Sequence, residues 1–340
     1  MKRRPGPRRL VPGLLGALVA CTVLGGVGGV PPAAAAPAEY SLVTEPGAGL
    51  APIYRLIASA RRSVDMTMYE LEDPTAEADL AADARRGVRV RVLLDERYVK
   101  GYNLAAYDYL RARGVQVRWA PGSYDLTHQK TITVDGVVSA VMTLNLTRRY
   151  YATSRDFAVI DRDPADVRAI EAVFADDFAG RSSSPEPAGA HLIWSPGADA
   201  RLVAIIASAR HALYVEDEEM SEYTIVDALE AAARRGVDVE VVMTYQSEWR
   251  PNFDKLAAAG AHVRTYPADA SLYIHAKVID VDPGWPHEQV EVGSQNFSWA
   301  SLQYNRELGV DLGRAQGAVV GAVATTVRAD FAGARPWTGR

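Results

Sequence analysis

His128-Gln129-Lys130-Thr131-Ile132-Thr133-Val134-Asp135 and His275-Ala276-Lys277-Val278-Ile279-Asp280-Val281-Asp282 carry one pattern, His-x-Lys-x-x-x-x-Asp. Their β-branched residues predict extended chain. In extended backbone, side chains at i and i+2 share a face, so each stretch aims an imidazole and an ammonium at one place. Each aspartate, seven residues past its histidine, falls on the opposite face. Turn residues follow it, Gly136 in one copy and Pro283-Gly284 in the other. Asp135 and Asp282 therefore read as structural members of the motif.

The repetition reaches beyond these stretches. Ile57-Ala-Ser-Ala-Arg61 recurs as Ile206-Ala-Ser-Ala-Arg210, and Ala84-Arg-Arg-Gly-Val88 as Ala233-Arg-Arg-Gly-Val237. Two copies at so long a period are a tandem duplication, not a solenoid. Each half runs helix, short strand, helix, β-branched strand and second helix, then further strands. Gly87 and Gly236 stop the earlier of these crossover helices, as a C-terminal cap should. The alternation predicts an α/β protein of two tandem homologous α/β/α halves with mostly parallel or mixed sheets. A pseudo-two-fold relation between the halves would place one active site at their interface. Residues 39–180 form the first half, the turn-rich stretch 181–190 a linker, and 191–340 the second half.

Residues 1–38 read as a secretory signal peptide: five basic residues, an apolar run from Leu10 to Val30, and Ala36-Pro37-Ala38 before Glu39. Leu18-Val19-Ala20-Cys21 also resembles a lipobox, which would anchor the protein at Cys21. Otherwise the mature chain is expected to be secreted and, lacking any other cysteine, free of disulfides. Loss of the leader takes Lys+Arg from 37 to 32 against 42 Asp+Glu, moving the formal charge from −5 to −10. That balance disfavours a dedicated nucleic-acid binder. His191, His211, His262 and His287 show no ligand spacing, so neither metal nor cofactor is implied.

Two imidazoles and two ammonium groups suit the cleavage of a phosphate ester. The paired motifs, with Gly293-Ser294-Gln295-Asn296 and Asn305-Arg306-Glu307 downstream, resemble the phospholipase D superfamily. The first half departs from that pattern, with Met142-Thr143-Leu144-Asn145 and Ser154-Arg155-Asp156 at the matching places. The resemblance implies a phosphohistidine mechanism, with His128 favoured as nucleophile and His275 as acid. It assigns phosphate neutralisation to Lys130 and Lys277, and phosphate contacts to Asn145, Asn296, Thr143 and Ser294. It also implies that Asp156 orients His128 and Glu307 orients His275. The leading expectation is a secreted, monomeric phospholipase D acting on phospholipid at a membrane surface and releasing phosphatidic acid. A secreted nuclease and a non-catalytic phosphate- or lipid-binding member are the alternatives. Cardiolipin synthesis is disfavoured by the lack of retained membrane helices. Glu70 and Glu219, which correspond across the duplication, read as solvated strand ends, with lining of the cleft as the alternative.

Overall fold

The computed structural model describes residues 39–181 and 189–339. The predicted leader and most of the predicted linker lie outside the described residues. Each half builds one sheet, and the strands follow the same order in both. The first sheet runs Tyr40–Glu45, Ser154–Asp161, Val138–Met142, Thr131–Val134, Ser63–Met68, Arg89–Leu94, Gln116–Trp119. The second runs Leu192–Ser195, Glu307–Gly313, Gln289–Gly293, Val278–Val281, Ala212–Glu216, Asp238–Thr244, His262–Tyr266. The last three strands of each order pair in parallel. Helical crossovers join them, Pro74–Arg85 and Lys100–Arg111 in the first half, Tyr223–Arg234 and Arg250–Ala258 in the second. The neighbouring strands pair antiparallel, so the sheets are mixed.

Local sequence accounts for the helix ends. Asp73 and Asp163 accept from the first free N–H groups of Pro74–Arg85 and Pro164–Phe178, and Pro follows each cap where its missing N–H costs nothing. Gly87 and Gly236 leave their helices at φ +88°, a conformation that strains any residue with a Cβ. The apolar faces pack into three main clusters. Two lie within single halves. The third is shared: Val141, Phe157 and Val159 of the first sheet pack with Val278, Val292 and Val310 of the second and with the helix Gly317–Gly333. No helix among the described residues is long and apolar enough to cross a membrane.

Asp135 and Asp282 hold φ of 55° and 50°, left-handed backbone that is costly outside glycine. Their carboxylates offset that cost by gathering backbone N–H groups. Asp135 accepts from Arg61, Arg62 and Ser63. Asp282 accepts from Arg210, His211 and Ala212, and His287 Nε2 lies 2.6 Å from its other side. Each aspartate thus ties the end of its strand to the chain entering the central strand. Replacing Asp282 by Ala strands three amides and should destabilise the protein by about 2 kcal/mol. Urea unfolding measures this, and an unchanged midpoint would contradict the clamp role.

Candidate active site

His128 and Lys130 lie in the extended segment entering Thr131–Val134, and His275 and Lys277 in the one entering Val278–Val281. Backbone hydrogen bonds set what each histidine meets. His128 N–H and Gln129 N–H both donate to Arg306 O, at 2.9 Å. His275 N–H donates to Arg155 O at 3.2 Å, and Tyr273–Ile274 pairs in parallel with Ser154–Arg155. Each histidine is therefore stitched beside the acidic residue of the opposite half. His128 Nδ1 lies 2.9 Å from Glu307 Oε2, and His275 Nδ1 lies 2.7 Å from Asp156 Oδ1.

This corrects the assignment of Asp156 to His128 and Glu307 to His275. The acids are exchanged across the seam, because each one follows the arginine whose carbonyl holds the other half's histidine strand. Thr143 and Ser294 also move to a new role. Thr143 Oγ1 donates to Asp156 Oδ1 and accepts from Phe157 N–H. Ser294 Oγ donates to Glu307 Oε2 and accepts from Leu308 N–H. Both are fully buried with their hydrogen-bonding capacity spent on the protein. They hold the carboxylates and are not placed to bind phosphate. Ser301 Oγ and Asn305 Nδ2 complete the support of Glu307 through Oε1.

The two arginines at the exchange make a second crossing. Arg155 pairs with Asp330 on the second half's last long helix, and Arg306 with Asp177 on the first half's. Both pairs are largely buried, where losing one partner costs roughly 3–5 kcal/mol. An arginine preceding the acid in both copies, Arg155 and Arg306, was the available sequence signal for them.

A cavity of about 640 Å³ opens on both histidines and on Asn145, Asn296 and Asp156. Lys130 and Lys277 are fully buried beneath it, each ammonium bonded to the carbonyl of its own motif histidine. Their environments differ. Burial pushes Lys130 down to about 7; it faces the Tyr69 ring at 4.9 Å and has no carboxylate partner among the described residues. Burial also opposes charge on Lys277, but Glu218, Asp217 and Asp156 hold it above its ordinary value. Burial lowers His128 against the pull of Glu307, which favours a neutral ring. Glu307, which burial alone would raise, is held low by His128 and Lys130.

Four more carboxylates line the cavity, Glu248 among them. Glu70 pairs with Arg149 at 2.6 Å, and Glu219 Oε1 accepts from Asn296 Nδ2 at 3.0 Å, so neither is a solvated strand end. Glu218, missed in the sequence, lies 3.1 Å from Lys277 Nζ and 3.5 Å from His275 Nε2. Elsewhere, Asp163, Asp166 and His191 bring ligand-type atoms within 4.8 Å of one another, a proximity their spacing hides. Their contacts are already structural: Asp163 caps a helix, and Asp166 accepts from Tyr40 and lies against His191.

The family described as "Cardiolipin synthase, PLD-like domain" matches residues 53–178 and 202–331. A cardiolipin synthase of Geobacillus kaustophilus is 27% identical over 275 residues, covering 67% of this chain and 53% of its own length. A cardiolipin synthase A of Pseudomonas putida strain GB-1 is 36% identical over 129 residues, 36% of this chain and 26% of its own. The chain spans about half the length of the curated relatives it matches most fully. Among solved structures, the phosphatidylserine synthase of Haemophilus influenzae superposes with a TM-score of 0.68 at 12% identity, covering 88% of this chain and 87% of its own. It shares the fold.

The lowered Lys130 gives a pH test. Its ammonium is charged below about pH 7 and neutral above. Dimethyl phosphate, whose single charge is constant over this range, should bind more weakly as pH rises through 7. Lys130→Arg should abolish that fall. A flat profile by titration calorimetry in the unsubstituted protein would count against Lys130 as a phosphate contact.

Proposed function

The chain belongs to the phospholipase D superfamily through two PLD-like domains, and from that premise we propose that it is a secreted phosphodiesterase that cleaves phospholipid at the headgroup ester. The observation that carries this reading is the reciprocal exchange: two imidazoles from different halves, each backed by the other half's carboxylate, open on one cavity. In the proposed reaction His128 Nε2 attacks phosphorus and the headgroup oxygen leaves with a proton from His275. The His128 ring suits the nucleophile, since burial favours its neutral form. Carboxylates at both nitrogens of His275 suit the ring that delivers a proton. Lys130 and Asn145 take up charge on the non-bridging oxygens, while Lys277 and Asn296 are held by Glu218 and Glu219. His275, now neutral, then removes a proton from water, which attacks phosphorus and frees His128 with release of phosphatidic acid.

A second reading, transfer of the phosphatidyl group to an alcohol in place of water, is favoured by the names of the relatives, which are cardiolipin synthases. The same covalent intermediate serves both, with the acceptor deciding the product. A nuclease on this machinery is disfavoured by the formal charge of the mature chain.

Phosphatidylcholine with ethanol, and plasmid DNA in parallel, both with EDTA, separate these readings. Phosphatidic acid marks hydrolysis and phosphatidylethanol marks transfer; DNA cleavage alone would sink the lipid reading. His128→Ala and His275→Ala should each lower turnover by at least about 10³-fold. Substantial activity in either variant would contradict a single shared site. Export predicts a mature protein beginning at Glu39 in culture supernatant, read by N-terminal sequencing; an intact leader on a cytosolic product would refute it.

A further inference from the structure

The two halves offer the same donors to a phosphate but do not leave them equally available. Tyr69 and Glu218 occupy equivalent places, each following the central strand of its half, Ser63–Met68 or Ala212–Glu216. Tyr69 packs its ring on His128, centroids 4.6 Å apart, and under the Lys130 ammonium. Glu218 instead puts a carboxylate oxygen 3.1 Å from Lys277 Nζ and 3.5 Å from His275 Nε2, where a non-bridging phosphate oxygen would sit. Tyr273 OH donates to its other oxygen at 2.8 Å and holds it there. The next pair repeats the contrast. Glu70 is taken by Arg149, whereas Glu219 engages the side-chain amide of Asn296.

Both phosphate donors of the second half, Lys277 and Asn296, are thus occupied by carboxylates. In the first half, neither Lys130 nor Asn145 forms an ion pair or hydrogen bond with a carboxylate among the described residues. A phosphodiester anion is drawn to Lys130 and Asn145, and its leaving group is left over the second half. There it meets Glu218 and Glu219, with Glu248, Trp249 and Tyr273 of the same half also lining the cavity. Carboxylates interleaved with aromatic faces favour a cation and repel an anion.

We propose that Glu218 and Glu219 form a charge selector on the leaving-group side of the site, taking phosphodiesters whose leaving alcohol carries an ammonium group and turning away those whose leaving alcohol carries none. The assignment rests on the phosphodiesterase reading above. It gives the second half a distinct task, to read the headgroup, while the first half holds the phosphoryl group. The partly buried carboxylate of Glu218 also explains how a buried ammonium such as Lys277 stays charged without leaving surplus positive charge in the cavity.

Soluble diesters test this without a membrane. The mature protein and its Glu218→Gln, Glu219→Gln and double variants are titrated calorimetrically with glycerophosphocholine and with glycerophosphoglycerol. The unsubstituted protein should prefer the zwitterion by roughly tenfold, or about 1.4 kcal/mol. That ratio should fall towards one in Glu218→Gln, an isosteric change whose folding is checked by thermal unfolding. Glu219→Gln supplies the same readout should Glu218→Gln fold poorly. Equal affinities in the unsubstituted protein, no binding of either diester, or a preference that survives the double variant would overturn the selector. So would an equal gain for both diesters in the variants, which would make the carboxylates mere competitors of phosphate. Lipid turnover, measured beside binding, separates the two ideas. Selective binding without turnover removes the phosphodiesterase reading and leaves the selector, and turnover without headgroup preference does the reverse.

Discussion

The structure depends on an exchange of acids between its halves. Glu307 of the second half meets His128 of the first, and Asp156 of the first meets His275 of the second. Neither histidine finds the carboxylate at its Nδ1 in its own half. The exchange is reciprocal, as an isologous contact between two copies of one unit requires. Everything around it serves to keep four titratable groups buried together. Hydroxyls from Thr143, Ser294 and Ser301 saturate the carboxylates, and the arginine before each acid reaches back to the opposite half's long helix. In a low-dielectric seam an unmatched member of such a set would be expensive, so the lattice is either complete or strongly destabilising.

The two sites within that lattice are not electrostatic copies. Duplication gives each half a histidine, a lysine and an asparagine, yet two adjacent places, Met68 and Tyr69 in one half against Asp217 and Glu218 in the other, change what the lysine feels. Burial, acting against the pull of Glu307, takes Lys130 down to about 7, whereas Lys277, equally buried, is held above its ordinary value by nearby carboxylates. Desolvation is similar for both, and the neighbour decides the sign.

Much of this was legible in the chain itself. The His-x-Lys strings, the repeated Ile-Ala-Ser-Ala-Arg segments and the stopping glycines yield two α/β halves and a shared site, because periodicity and capping are local properties. The turn position of Asp135 and Asp282 was legible for the same reason. The pairing of acid with histidine was not. Asp156 and Glu307 each lie downstream of a motif in their own half, and sequence proximity favours the nearer histidine, whereas the stitch to Arg306 O and Arg155 O is a long-range contact that no spacing encodes. Thr143 and Ser294 misled for a related reason: a hydroxyl's partner is set by what lies across the sheet, and here it is a carboxylate. Glu218 escaped because its neighbour Glu219 has an acidic counterpart in Glu70, which drew attention one position too far along.

The backbone stitch beside each histidine has a bearing on traffic. The strand Tyr273–Ile274 is laid against the first half's own sheet, and a core of valines joins the two sheets behind it. Parting the halves to admit a substrate would pull both histidines off their acids at once. The seam must therefore stay shut through the whole cycle, and in the proposed reaction lipid, acceptor and released headgroup would all pass by way of the cavity itself. Arrival and departure would then compete for the same space, so that the order in which they pass becomes a property of that cavity and not of the chemistry beneath it.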